Sequence, residues 1–208
     1  MTEDDRGALA RFDATYRTAG RDAAKVPWAE SRPKPLLAAW LDEAAVRGEG
    51  RRAIVVGSGL GDDAEALSAL GFIVTAFDLS PTAIAWTREC FAASRVDYHV
   101  ADLFTLPDTW RGAFDLVVEI YTLQSLPATI RPEAMDRVAA LVAPGGELLV
   151  ICRGRDPEAA PASGPPYPLT RAELRRLEAA GLSERDALDT FDDETPPVRR
   201  FRLRYRRD

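Results

Sequence analysis

The sequence predicts an α/β protein whose mostly parallel sheet is doubly wound, with helices on both faces. The apolar runs at 53–56, 114–120 and 148–152 are nearly continuous, which is typical of strands buried on both faces of a parallel sheet. Predicted helices alternate with these strands, as they do in repeated βαβ units. Two late segments predict further strands with no long helix between them.

The first half of the chain carries clear helix and strand signals. A helix is predicted at 36–45 because its apolar residues fall on one face. Gly71 suits the position that follows the helix at 63–70. Ser80 is a predicted N-cap, and the proline after it begins a helix that runs to about residue 93. The predicted strands of this half are 53–56, 72–78 and 98–101.

The second half continues the alternation and ends in strands. Pro132 begins a helix that runs to residue 141, and a proline-rich loop covers 153–168. Thr170 and Glu173 form a predicted capping box, whose helix ends at Gly181. In the last strand, aromatic and aliphatic residues alternate with arginines, which predicts one solvent-exposed face rather than a nucleic-acid surface. The predicted strands of this half are 114–120, 148–152, 188–191 and 198–205.

Residues 1–35 are polar and carry scattered aromatic residues, of which Trp28 is the largest. Pro27, Pro33 and Pro35 are expected to break any long helix in this segment. The segment has no regular apolar period and is predicted to be a cap or lid. The domain proper is predicted to span 36–208.

Composition excludes several classes of function. The 208 residues carry a net charge of −6, with a pI of about 5.0, so no general attraction to nucleic acid or anionic membranes is expected. The acidic start lacks the apolar region of a signal peptide, and no apolar stretch is long enough to span a membrane. Cys90, Cys152 and the single histidine, His99, do not have metal-ligand spacing. We therefore expect a cytoplasmic monomer or homodimer without a metal, and we expect His99 not to be catalytic.

A glycine turn between the first strand and its helix is the strongest functional signal. Glycines stand at Gly57, Gly59 and Gly61, and Asp78 follows Gly57 by 21 residues. Glycine lets a backbone approach a ligand closely, and βα units place an acid at this distance against ribose hydroxyls. The pattern predicts a nucleoside cofactor. The alternative is a tight strand–helix turn that binds no ligand.

The residues around this turn favour one cofactor over another. The turn has the pattern G-x-G-x-G rather than the G-x-G-x-x-G of dinucleotide folds, and Asp62 follows it directly. A carboxylate there would repel a pyrophosphate but would attract a ligand that carries an ammonium and a sulfonium. The sequence therefore predicts S-adenosylmethionine rather than NAD.

In an open α/β sheet, ligands bind at the carboxyl ends of the strands. Asp78 is predicted to accept from the ribose hydroxyls, or else to be a helix cap. Asp102 and Leu103 are predicted to contact the adenine, with a plain loop acid as the alternative. Glu119 follows a buried strand and needs a partner, which is either the methionine end of the cofactor or a structural cation.

Several segments resemble the successive motifs of class I S-adenosylmethionine-dependent methyltransferases: 56–61, 77–78, 101–102, 114–117 and 143–146. The segments around Trp28 and at 164–167 are similar to the thiopurine and thiol/halide methyltransferase branch. The resemblance implies a seven-stranded, Rossmann-like sheet whose last strand is antiparallel. It also implies that Trp28 lies over the cofactor and that the loop after strand five shapes the acceptor pocket. The sequence departs from the family at Val55, where an acid is common, and at Ser58, where cysteine is common.

The resulting hypothesis is a methyltransferase of small molecules. A thiol, halide-like or other easily ionised acceptor is favoured, because no general base is evident. The alternatives are a non-catalytic S-adenosylmethionine-binding sensor or partner subunit, and an NAD-dependent oxidoreductase. The predicted catalytic residues are Glu119, Tyr121, Arg153 and Tyr167. The predicted cofactor-binding residues are Trp28, Gly57, Ser58, Gly59, Gly61, Asp62, Asp78, Leu79, Ser80, Asp102, Leu103, Glu119 and Ile120.

Overall fold

The computed structural model describes the backbone of residues 3–208 and the side chains of residue 7 and residues 9–208. The chain divides into two compact units, one ending at Leu106 and the other starting at Pro107. Each unit is described by itself. The predicted boundary between a lid at 1–35 and a domain at 36–208 stays a prediction.

The first unit is built on three parallel strands in the order β3-β2-β1. Val56 at the end of β1 pairs with Phe77, and Asp78 at the end of β2 pairs with Val100. The carboxyl ends of the strands therefore reach one edge, where the glycine turn and Asp78 lie together. The elements are α1 Glu3–Ala19, α2 Pro35–Glu43, β1 Arg52–Val56, α3 Asp62–Ala69, β2 Ile73–Asp78, α4 Pro81–Cys90 and β3 Asp97–Val100.

The N-terminal segment contains a helix that the sequence did not predict. α1 runs for 17 residues, and the expectation that prolines prevent a long helix here was wrong. All three prolines lie after the helix, and proline disrupts a helix only around its own position. Tyr16 and Ala19 of α1 are buried against Ala83 and Trp86 of α4. One apolar partner of α1 thus comes from a helix more than sixty residues further along the chain.

The second unit carries a mixed sheet in the order β4-β5-β7-β6. β4 and β5 are parallel, whereas β7 is antiparallel to both β5 and β6. The capping box of Thr170 and Glu173 is confirmed, but the helix that it begins is divided into two short pieces. The elements are β4 Phe114–Ile120, α5 Arg131–Leu141, β5 Val142–Arg153, α6 Arg171–Leu174, α7 Arg176–Ala179, β6 Ser183–Phe191 and β7 Arg199–Arg206.

Seven strands form one sheet within residues 3–208, in the order β3-β2-β1-β4-β5-β7-β6. This confirms the predicted doubly wound α/β fold with its last strand antiparallel. It also confirms that the three apolar strands, β1, β4 and β5, are the central ones. Within the same residues, no helix combines the length and apolar character that crossing a bilayer requires.

Two arginines of β7 are buried, so the prediction of a solvent-exposed face was wrong for them, whereas Arg206 at the end of the strand is exposed. Arg200 and Arg202 are only 6 % and 8 % exposed. Arg200 pairs with Asp192 at 2.6 Å and Arg202 with Asp186 at 3.7 Å. Acids on β6 and the following turn neutralise these guanidinium groups, and this lets the polar face be covered.

Candidate functional site

The glycine turn after β1 is tightly packed on both of its sides. Gly59 and Gly61 have left-handed φ angles of 54° and 90°, which glycine adopts at little cost. A Cβ on Gly61 would lie 2.6 Å from Thr87 and from the Tyr98 hydroxyl. A Cβ on Gly59 would lie 3.0 Å from the Tyr16 hydroxyl. Gly61 is therefore required for packing, whereas at Gly59 the close neighbour is a phenol from α1.

Asp78 fixes the shape of the turn through its carboxylate. One oxygen accepts from the Gly59 N–H at 2.9 Å and the other from the Ser80 N–H at 2.8 Å. The side chain is buried, and burial raises the pKa of Asp78 against the lowering effect of these two bonds. Each carboxylate oxygen can accept a second hydrogen bond. These two hydrogen bonds agree with the alternative in which Asp78 is a helix cap. Its predicted contact with the ribose hydroxyls stays a prediction.

The residues that follow β2 and β3 divide into capping and apolar groups. Ser80 caps α4, since its hydroxyl accepts from the Ala83 N–H at 2.9 Å and donates to Asp13 at 2.7 Å. Asp102 accepts from the Phe104 N–H at 2.9 Å. Leu79 is 36 % exposed and Leu103 is 7 % exposed. The exposed Leu79 beside Asp78 offers an apolar surface of the kind that a purine ring needs.

Two acids begin α3 directly after the turn, and they face different partners. Asp63 accepts from the Lys34 N–H at 2.8 Å, and burial raises its pKa to about 6. Burial also raises the pKa of Asp62, and the nearby acids Glu30 and Glu65 add to that effect. Asp63 therefore ties the segment before α2 to α3. Asp62 is left as the acid that a cationic ligand would stabilise.

Trp28 acts together with Tyr16, another of the scattered aromatic residues of the N-terminal segment. The Trp28 indole N–H donates to the Tyr16 hydroxyl at 2.7 Å, and the two rings meet edge to face at 5.6 Å. Asp13, three residues before Tyr16, accepts from Ser80 and from the Thr82 N–H. Phe12 and Tyr16 stand four residues apart, a helical spacing that could have indicated α1.

The first unit fits S-adenosylmethionine by the chemistry of its side chains. Asp78 and Asp102 can accept from hydroxyl and amino groups, and Asp62 can pair with an ammonium. The Ser58 hydroxyl on the turn is buried and has no hydrogen-bond partner among the described residues. A buried polar group of this kind calls for a polar partner. Asp62 lies near the acids Glu30 and Glu65, and a ligand ammonium would offset this concentration of negative charge.

Glu119 in the second unit is fully buried, with an exposure of 0 %. Its Oε1 accepts from the Leu123 N–H at 2.8 Å, and its Oε2 has no hydrogen-bond partner in the part of the chain that the structure describes. Burial raises the pKa of Glu119 to about 7. The carboxyl therefore shapes the turn after β4. Its predicted contact with the cofactor stays a prediction, and so does that of its neighbour Ile120, which is 8 % exposed.

Tyr121 follows β4 in a conformation that is unusual for its residue type. Its φ angle is +65°, in the left-handed region where a residue with a side chain carries strain. The Arg200 guanidinium lies 5.1 Å from the centre of its ring. Strained residues of this kind cluster at functional sites, which supports the predicted role of Tyr121.

Two residues that the sequence did not single out organise the loops around Arg153 and Tyr167. The Gln124 side chain accepts from the Arg153 N–H, and its backbone carbonyl accepts from the Tyr167 N–H at 2.6 Å. The Arg131 guanidinium lies 5.7 Å from the Tyr167 ring and pairs with Glu173 at 2.7 Å. These bonds bring Arg153 and Tyr167 to a common loop cluster. Nothing in the local sequence pattern indicates Gln124 or Arg131.

Comparison with known proteins places this geometry in context. Residues 21–205 match the family described as Thiopurine S-methyltransferase (TPMT). The chain is 30 % identical over 162 residues to the ubiquinone biosynthesis O-methyltransferase of Azotobacter vinelandii, covering 76 % of this chain and 68 % of the relative. It is 27 % identical over 162 residues to probable thiol methyltransferase 2 of Arabidopsis thaliana, covering 75 % and 68 %.

A solved structure extends the likeness to the whole fold. It is the 1,6-didemethyltoxoflavin-N1-methyltransferase of Burkholderia thailandensis, with bound 1,6-didemethyltoxoflavin and S-adenosylhomocysteine. The TM-score is 0.76 at 18 % identity, and the match covers 100 % of this chain and 92 % of that chain. At this identity the likeness concerns the fold.

Proposed function

Because this chain belongs to the thiopurine S-methyltransferase family, we propose that it methylates a small molecule whose acceptor atom ionises readily. The protein is an S-adenosylmethionine-dependent methyltransferase, and this agrees with the fold and with the relatives. The acceptor itself is the proposal. The observation that supports it is the burial and the hydrogen-bonding character of the ionisable residues after β4 and β5.

The cofactor, when bound, supplies an activated methyl group for an in-line displacement by the acceptor. The protein's part is to bind, orient and exclude water. Asp78 and Asp102 are proposed to hold the nucleoside, Asp62 the ammonium, and Leu79 and Leu103 the purine. Gly57, Ser58, Gly59 and Gly61 would form the cradle.

A proton acceptor for a weakly acidic substrate is hard to find in the second unit. Glu119 has the raised pKa of a useful base, but its 0 % exposure keeps it away from any substrate unless the turn moves. Arg153 pairs with Glu194 at 3.4 Å, and a guanidinium offers hydrogen-bond donors only. Tyr121 and Tyr167 carry phenol hydroxyls, not the carboxylate or imidazole of a usual general base. An acceptor that arrives already ionised, such as a thiol or a halide-like anion, needs none of them.

The test is a methyl-transfer assay with labelled S-adenosylmethionine and four acceptor classes: thiols including thiopurines, halides and thiocyanate, phenols, and amines. We expect thiols or halide-like anions to be methylated, with a rate that follows the ionised fraction of the acceptor. Methylation of amines alone would contradict the proposal. Binding of S-adenosylhomocysteine without transfer to any class would favour the sensor alternative.

A second candidate is methylation of an acidic hydroxyl on an aromatic ring. It is supported by the relative at 30 % identity, which is an O-methyltransferase of ubiquinone biosynthesis. Tyr121 and Tyr167 offer aromatic faces of the kind that stack on such a ring. In the assay, this candidate predicts that phenols of low pKa are methylated faster than thiols.

A cytoplasmic monomer or homodimer remains part of the proposal. Both cysteines are free, and Cys90 is exposed, which suits a reducing compartment. Two arginines of β7 pair with acids, Arg199 with Asp189 at 2.7 Å and Arg200 with Asp192 at 2.6 Å, so they do not offer a basic surface to nucleic acid. Light scattering coupled to size-exclusion chromatography tests the oligomeric state, and a mass above that of a dimer would contradict it.

A further inference from the structure

The hydroxyl of Tyr16 is held against the glycine turn by two aromatic neighbours and by the turn itself. A Cβ on Gly59 would lie 3.0 Å from the Tyr16 hydroxyl oxygen. The ring meets Trp28 edge to face at 5.6 Å and Trp86 at 6.5 Å, and the residue is 3 % exposed. This packing fixes the phenol in one orientation, with its oxygen at the surface of the turn.

The Tyr16 hydroxyl accepts a hydrogen bond, and it donates none to the described part of the chain. The Trp28 N–H donates to its oxygen at 2.7 Å. In the described backbone and side chains, no group accepts a hydrogen bond from the phenol. Burial and the nearby charge of Asp78 raise the pKa of Tyr16, so the proton is retained. Buried phenols usually find an acceptor, and the unpartnered Ser58 hydroxyl on the same turn points to the same need.

We infer that Tyr16 is a cofactor-binding residue whose O–H donates to the α-carboxylate of S-adenosylmethionine, with Trp28 positioning it. The inference rests on the proposed function. The acids of this unit suit the hydroxyl and ammonium groups of the cofactor, and they would repel its carboxylate. A neutral donor fixed above the turn therefore meets the one group that the acids cannot bind. Accepting a bond from Trp28 makes the Tyr16 O–H a stronger donor.

Tyr16→Phe separates this contact from the packing role, because phenylalanine keeps the ring and removes the donor. Binding is measured by titration calorimetry with S-adenosylhomocysteine and with 5′-methylthioadenosine, which lacks the amino-acid end. For Tyr16→Phe we expect the affinity for S-adenosylhomocysteine to fall about ten- to a hundredfold, the effect of losing a hydrogen bond to a charged group. The affinity for 5′-methylthioadenosine should stay within about twofold of wild type, since the lost bond is absent from that complex.

Three further variants complete the design. Trp28→Phe should weaken S-adenosylhomocysteine binding by less than Tyr16→Phe does, because the Tyr16 hydroxyl is still present. Phe12→Leu is the control for general loosening, because the Phe12 ring packs on Trp28 at 5.8 Å and carries no donor. It should leave both affinities unchanged. If Tyr16→Phe unfolds, the double variant Tyr16→Phe/Trp28→Phe is used in place of the single variant. It removes both partners of the buried hydrogen bond, so neither is left unsatisfied.

The outcomes are distinct. Unchanged binding of S-adenosylhomocysteine by Tyr16→Phe overturns the inference, and so does an equal loss for both ligands, which would mean that Tyr16 acts only through the shape of the turn. If wild-type protein binds neither ligand, the proposed function fails and the inference fails with it. Wild-type binding with a loss confined to S-adenosylhomocysteine supports both.

Discussion

Replacing Glu119 with glutamine should stabilise the protein at alkaline pH and leave its stability nearly unchanged at acidic pH. Glutamine keeps the oxygen that accepts from the Leu123 N–H at 2.8 Å. It removes a charge from a side chain with 0 % exposure, one of whose oxygens has no partner among the described residues. Burial raises the pKa of Glu119 from its ordinary 4.5 to about 7, so the charged form is the costly one.

The sign and size of the effect follow from proton linkage. Between pH 4.5 and about 7, the folded state binds a proton at Glu119 that the unfolded chain has largely released. The free energy of unfolding therefore falls as the pH rises through this range. Each pKa unit corresponds to about 1.36 kcal/mol, so a separation of about 2.5 units sets a ceiling of roughly 3 kcal/mol. Relaxation around a buried charge reduces this, and we expect a gain on the order of 1–3 kcal/mol above pH 7.

Urea unfolding at pH 5 and pH 8 measures the effect. Glu133→Gln is the matched control, since Glu133 is exposed and forms a helix-surface pair with Arg137 at 3.0 Å. The control should lose no more than about 0.5 kcal/mol at either pH. Destabilisation of Glu119→Gln at pH 8 would refute the reasoning, because it would mean that the carboxylate has a stabilising partner that outweighs its burial.

Three further predictions concern the first unit. Gly61→Ala should lower the free energy of unfolding by about 2–4 kcal/mol, because of left-handed strain and overlap with Thr87 and Tyr98. The control Gly50→Ala, with a φ of 79° and no neighbour within 4 Å, should lose only the part that comes from strain. Equal losses for the two variants in urea unfolding would contradict the packing argument. Asp78→Ala should weaken S-adenosylhomocysteine binding on the order of ten- to a thousandfold and lower the free energy of unfolding by about 1–3 kcal/mol; wild-type affinity in calorimetry would leave Asp78 as a cap alone. Asp13→Ala should loosen the attachment of α1 to the start of α4 and speed proteolysis within 1–35. S-adenosylhomocysteine should slow that cleavage. A cleavage rate equal to wild type would show that Asp13 does not hold the segment.

Local signals predicted much of this fold from the sequence. β4 was predicted with the bounds that the structure shows, because an apolar run of strand length is a local pattern. The caps at Ser80 and Thr170 were likewise confirmed. The side chain of an N-cap residue bonds backbone groups within three residues, so the local sequence is enough to predict it. The glycine turn and Asp78 indicated a nucleoside site for the same reason, since a βα unit fixes their separation.

The contacts that the sequence could not predict join residues that lie far apart along the chain. α1 packs on α4 as well as on Val26 and Trp28, so part of its apolar contact comes from outside residues 1–35. Arg200 is buried because the turn after β6 brings Asp192 and Glu194 to it. Tyr16 reaches Gly59 across 43 residues. The sequence by itself determined the presence and order of the strands, the caps, the fold class and the class of cofactor, because each depends on spacing along the chain. The full lengths of β5 and β6, which exceed the predicted 148–152 and 188–191, were not predicted. Only the tertiary structure decided which polar groups are paired, since the cost of burying a donor or a charge depends on neighbours that folding brings together.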